Sequence, residues 1–252
     1  MAEHSIPIKV FDFQIETAFG PLPKLRVEVK NAPMRLSDIV PWICNIAGKI
    51  ISLAASNSQK QGKPVTCGPH CSACCHQLVP LSAPEAIYIV ELLLAMPYEQ
   101  RFPILKRFED MGKKIAKAGL NEKIREGIPD GNTNELSREY FSAGIACPFL
   151  VDDSCSIHEN RPIACREYNV TSDPKLCKSP FDGSIQILAL QRRLTMRLHE
   201  LAVQLCGISP GNIVFPLIFD WYDTHRELAS RTWPGPELFE LMLDLTMGSS
   251  GS

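Results

Sequence analysis

The sequence predicts a mainly α-helical protein, a helical domain with an N-terminal β-hairpin and loop-rich cysteine segments. Three observations predict it: alternation of apolar and polar residues confined to residues 6–30, helical periodicity over most of the remaining chain, and two irregular stretches holding eight of the ten cysteines. On this basis the chain divides into a β-ribbon over residues 1–35, a helical cysteine-cluster region over 36–180, C-terminal helices packed on it over 181–247, and a disordered tail at 248–252.

The ribbon comes first. Val10, Phe11, Phe13 and Ile15 precede Gly20-Pro21-Leu22-Pro23, and Leu25, Val27 and Val29 follow, with Arg26, Glu28 and Lys30 on the opposite face. Glycine and proline supply the turn. From Leu36 the period lengthens: Leu36, Ile39, Val40, Ile43, Ala47, Ile50, Ile51 and Ala54 mark a helix to about residue 57, with Ser37 or Asp38 available as its N-cap. Cys44 falls on that apolar face and reads as a small core residue. The polar run 56–63 then reads as a loop.

Ser82-Ala83-Pro84-Glu85 has capping-box spacing and opens a helix to Met96. Pro97 stops it, and a charged helix over residues 98–118 follows. There Arg101, Lys106, Arg107, Lys113, Lys114 and Lys117 interleave with Glu99, Glu109 and Asp110, as on a solvated face. Residues 121–133, with Pro129-Asp130-Gly131-Asn132, read as a turn-rich connection before a short helix near 135–143. Further on, Ile187, Leu190, Leu194, Leu198, Leu201 and Leu205 form a helical stripe, with Cys206 beside its end as a core residue. Helices over about 212–230 and 236–247, separated by Trp233-Pro234-Gly235-Pro236, complete the expected fold.

Bulk properties narrow the function. The 252 residues are 45% hydrophobic, which suits a protein with a real core, and the net charge of -2 offers no general attraction to nucleic acid or an anionic membrane. No nucleic acid or membrane partner is expected, and a protein partner is not indicated. The windows 86–96 and 213–219 are too short to span a bilayer, which needs about 20 residues. The start lacks a basic segment followed by an apolar one, so a cytoplasmic location is expected.

The chemistry lies in the cysteines. Cys67, Cys71, Cys74 and Cys75 fall within nine residues; Cys147, Cys155, Cys165 and Cys177 follow at gaps of eight, ten and twelve. A disulfide framework suits small secreted domains, which this chain does not resemble, whereas tight spacing and a vicinal pair suit thiolates converging on metal ions. Four thiolates satisfy one tetrahedral zinc or one 4Fe-4S cluster, so eight allow more than one metal. Cys74 and Cys75 point apart and would serve two metals or a polynuclear cluster, or one of them would be a free reactive thiol. The loops around 147–181 are rich in Asp, Asn and Pro, and a shared metal would clamp them. His70, His76 and His158 are candidate outer-shell donors or extra ligands. Arg161 and Arg166 are candidates to balance thiolate charge, whereas Lys175 and Lys178 read as solvated.

These residues, in the order Cys67-x3-Cys71-x2-Cys74-Cys75, Cys147, Cys155-Ser-Ile-His158-Glu-Asn-Arg161-Pro162-Ile-Ala-Cys165-Arg166-Glu-Tyr168 and Cys177, resemble the YkgJ or CxxCxxCC family of cysteine-cluster domains. The resemblance spans about residues 67–180. It implies chelation of zinc or iron, the latter as an iron-sulfur cluster. Two features depart from the family pattern: a first gap of three residues rather than two, and His158 where an aromatic residue is common. The cysteine motif is also similar to that of flagellin lysine N-methylases, which implies a cluster-dependent protein methyltransferase as an alternative. The main expectation is a cysteine-cluster metalloprotein with iron-sulfur or zinc as cofactor and a redox role; a third reading is a structural clamp for partner binding.

Overall fold

The computed structural model describes residues 6–126, 134–208 and 213–248. The tail beyond 248 and residues 127–133 of the turn-rich connection lie outside the described residues. So does the first residue of the expected 212–230 helix.

The expected hairpin forms from β1 (Ile8–Phe13) and β4 (Leu25–Lys30), antiparallel, with Phe11 opposite Val27 and Asp12 opposite Arg26. Between them β2 (Glu16–Thr17) and β3 (Gly20–Pro21) extend the ribbon, and Gly20 has a positive φ of 106°, which a side chain would resist. Alternation sorts the faces: Phe11, Phe13, Val27 and Val29 turn inward, while Val10 faces solvent.

A short strand β5 (Pro33–Arg35) leads into one 3-10 turn and α1 (Val40–Lys60). Neither Ser37 nor Asp38 is the N-cap here. The Asp38 carboxylate reaches back to accept the Arg35 amide at 2.8 Å, while Ser37 is buried. The helix also runs three residues past its expected end, through part of the polar stretch expected as loop. By length and composition the 36–60 segment could cross a membrane; in this fold it buries Ile43, Ile46, Ala47 and Ala54 in a protein core.

Next come α2 (Ala83–Ala95), α3 (Tyr98–Lys117), α4 (Asn121–Arg125) and α5 (Asn134–Ser142). A tiny hairpin of β6 (Leu150–Val151) and β7 (Ser154–Cys155) and one turn of helix, α6 (Ile163–Glu167), carry the second cysteine segment. The chain closes with α7 (Leu194–Cys206), α8 (Ile218–Thr224), α9 (Arg226–Ser230), β8 (Thr232–Pro234) and α10 (Gly235–Met247).

Two differences from the sequence reading arise from tertiary pairing. The leucine stripe becomes helical only at Leu194, because Gln186 and Leu188 bond to Thr171 and Asn169 of the cysteine segment (2.8 and 2.7 Å) and hold the chain extended. Trp233-Pro234 is a strand as well as a separator, paired with Met34 and Pro33. Gly235 is required there, since a β-carbon would stand 2.8 Å from the Ala32 carbonyl oxygen.

Two cores result. The ribbon, α1, α7 and α10 pack Phe11, Ile43, Ile46, Leu198, Phe239 and Met242 into one; α2, α3, α5 and α8 pack Ile89, Leu93, Phe108, Tyr140 and Ile218 into the other. Helix α2 lies between them, with Ile87 in the first and Ala86, Ile89 and Val90 in the second. Its apolar residues therefore surround the helix rather than marking one stripe. Each fully buried Ile or Leu contributes about 1.5–3 kcal/mol.

Candidate metal centre

The two cysteine segments leave this frame as irregular chain and meet beside α2. Cys71 closes a turn on Gly68, and a 3-10 turn over Ala73–His76 holds the vicinal pair. His70 occupies the left-handed region at φ 62°. On the second segment, Asp152 and Asp153 both have positive φ and make the tight turn between β6 and β7. Asp153 then accepts a hydrogen bond from Ser72 at 2.7 Å, so the turn carrying Cys155 is tied to the one carrying Cys71 and Cys74.

Backbone bonds register the segments. The Cys147 amide donates to the Cys75 carbonyl at 2.7 Å, and the Thr66 amide donates to that of Val170 at 2.9 Å. The Val170 amide returns to the Cys67 sulfur at 3.3 Å. The 73–76 turn also packs on the turn over Pro174–Lys178, which bears Cys177.

All ten cysteines are free thiols; Cys44 and Cys177 are buried and the others half-buried. The clustered thiols form two neighbourhoods sharing Cys74. Burial raises Cys67 and Cys177, and each is raised further by Cys71 and Cys74. Burial likewise pushes Cys147 up to about 12 and raises Cys155 and Cys165, with Cys74 adding to all three. Cys74 itself is raised by its hydrogen bond with Cys75 and then by burial. Such thiols resist ionising one beside another until a cation compensates their charge.

The other candidates fall around this group. Arg161 is partly buried, its guanidinium lowered by burial and by Arg166, and it donates to the His158 carbonyl at 3.2 Å. Arg166 donates to the Arg161 carbonyl at 3.0 Å and to that of Glu159, and its charge lowers Cys155 and Cys44. His158 is exposed against Glu159, His70 lies 3.4 Å from the Ser154 hydroxyl, and His76 ends the vicinal turn. Lys175 and Lys178 are exposed.

Some contributors were not legible in the sequence. Glu85, fully buried, closes the capping box with Ser82 (2.6 and 3.0 Å) and also accepts the Ile163 amide at 2.7 Å, so it fixes the start of the helix that bears Cys165. Glu167 does the same for α7, accepting the Leu194 amide at 2.5 Å and the Thr195 hydroxyl at 2.9 Å. Arg107, read as part of a solvated face, donates to the Pro148 carbonyl at 2.6 Å and lies beside Cys147. The capping signal was visible for Glu85; its second partner, 78 residues away, was not.

Do these residues suit a metal? Among the described residues no three His, Cys, Asp or Glu side chains close into a metal-holding geometry. The donor set nevertheless fits: eight soft thiols on two adjoining segments, three of them (Cys67, Cys147 and Cys155) receiving backbone amides, in the composition that zinc or an iron-sulfur cluster takes. The Gln77 side chain, two residues past Cys75, is buried beside the Tyr168 hydroxyl, to which it donates a hydrogen bond.

Comparison with curated proteins and with solved structures finds no match to the chain. Residues 66–182, just under half of the chain and inclusive of all eight clustered cysteines, match the CxxCxxCC family, described as a zinc- or iron-chelating domain.

Proposed function

We propose that the chain is a cytoplasmic metalloprotein whose eight clustered cysteines hold an iron-sulfur cluster or zinc ions between the two loop segments, with a redox role when the metal is iron. The observation that carries this reading is the convergence of free thiols from segments some seventy residues apart, tied by the Cys147 to Cys75 and Thr66 to Val170 bonds. Cys67, Cys71, Cys74, Cys75, Cys147, Cys155, Cys165 and Cys177 would supply the ligands. Arg161 and Arg166 would offset residual thiolate charge. A bound cluster would supply one-electron transfer, and bound zinc would supply cross-linking alone.

Elemental analysis of anaerobically isolated protein tests it. Iron with acid-labile sulfide, and a visible band that bleaches on reduction, supports the cluster. Stoichiometric zinc in colourless protein supports the zinc form and removes the redox role. Protein that takes up neither metal, with its thiols reduced, overturns chelation.

A further inference from the structure

We propose that α3 carries a docking face for a second copy of this chain, the two α3 helices packing antiparallel about Phe102. Helix α3 has two apolar stripes. Ile104, Phe108, Met111 and Ile115 are buried in the second core, whereas Tyr98, Phe102 and Leu105 are 61, 51 and 38% exposed. With 3.6 residues per turn the exposed stripe lies about a third of a turn around the helix from the buried one, so packing the core leaves it outside. Its spacing of four and then three residues is that of a seam between two helices. The Tyr98 and Phe102 rings lie with centroids 5.4 Å apart, and Leu94, just before the turn into α3, is 58% exposed. Large apolar side chains grouped on a surface in this way mark an interaction site.

The charges identify the occupant. With Tyr98 and Leu105 as the d positions of a heptad and Phe102 as the a position, Glu99 and Lys106 become e positions along the outer rim. Tyr98 stands four residues before Phe102 and Leu105 three after it; Glu99 stands three before and Lys106 four after. A two-fold axis at Phe102 therefore sets Tyr98 of each copy against Leu105 of the other, and Glu99 against Lys106, twice over. The stripe is its own complement, as a contact between identical surfaces requires. Lys106 pairs with Glu109 at 2.9 Å within the chain, and such an exposed pair is weak enough to exchange. On the inner rim the Arg101 guanidinium is already bonded to the Leu94 carbonyl at 3.1 Å. An anionic membrane is a poorer match, because Glu99, Glu109 and Asp110 share the exposed surface of α3 with its lysines. The seam is two turns long, so the association is weak and reversible.

Sedimentation equilibrium of the full-length chain under reducing conditions tests this. The wild type should form a dimer whose share grows with protein concentration through the micromolar range. Phe102→Glu, which places two carboxylates at the axis, should abolish the dimer and leave far-ultraviolet dichroism unchanged, because the side chain it replaces is exposed. Glu99→Lys and Lys106→Glu should each weaken dimerisation by about tenfold, since each sets like charges against one another at two places. The double variant should return to within about threefold of wild type, a rescue that only this pairing predicts. A chain that stays monomeric at every concentration overturns the proposal. So does a dimer that survives Phe102→Glu, or a double variant as weak as the single ones. Monomeric protein that binds phosphatidylserine vesicles, and loses that binding in Phe102→Glu, overturns it too and gives the face to a membrane.

Discussion

The helical frame and the cysteine loops are held together by different forces. In the frame, Ile43, Leu198, Ile218 and Met242 are wholly excluded from solvent and helix ends are closed by buried carboxylates. In the loops only Cys177 of the eight clustered cysteines is buried, the strands are two residues long, and a few backbone bonds set the register. The frame therefore owes its stability to apolar burial, which no metal alters. The loops are anchored to the cores through Phe149, Ile157, Ile163 and Val170, and ligation would add to that anchoring by joining the two segments through their thiols.

The largest effect should come from the frame. Leu198→Ala removes a fully buried side chain from the first core and should lower unfolding free energy by about 3–5 kcal/mol, measured by denaturant titration of metal-free protein. Glu85→Ala should follow at about 2–3 kcal/mol, because the Ile163 amide and the Ser82 amide and hydroxyl lose their acceptor. If the frame and loops are separable, this variant alone should also weaken metal retention, since it frees the helix of Cys165.

A pH series sharpens the role of Glu85. Burial raises its carboxyl above the ordinary 4.5, against the pull of its hydrogen bonds and of Arg166. The folded state then binds the proton more tightly than the unfolded one, so the contribution is present below 4.5 and is lost as pH rises through the folded value. Relative to Glu85→Gln, the wild type should lose stability across that rise; parallel curves would refute the assignment.

Chelation of the metal should act on the loops alone. Far-ultraviolet dichroism of the helices should persist, while amide exchange accelerates at Cys147, Val170 and Leu188, whose bonds cross between loop segments. Global unfolding on chelation would dissolve the distinction between the two regions. The smallest effect belongs to α3: Glu109→Gln removes exposed pairs with Lys106 and Lys113 and should leave both melting temperature and metal uptake unchanged.

Much of the frame was legible because it depends on local chemistry. The change from alternation to helical period near Leu36, the Ser82 and Glu85 capping box, and Pro97 between two helices each act within a few residues. The vicinal turn was legible for the same reason, since the close spacing of Cys71, Cys74 and Cys75 forces their proximity. Less was readable where a residue answers to a distant partner. Ile187 and Leu190 continue the leucine stripe in sequence, but bonds from Gln186 and Leu188 to the cysteine segment keep the helix from starting before Leu194. Arg107 has the sequence context of a solvated side chain, yet the fold aims it at Pro148.

By itself, then, the sequence determined a helical protein with a short ribbon and two thiol-rich loops, because periodicity, caps and cysteine spacing operate over short separations. Tertiary structure alone decided that α2 divides two cores and that the loops meet through Cys147 and Cys75. Such pairings join positions tens of residues apart, and their free energy exists only once the whole chain has brought them together.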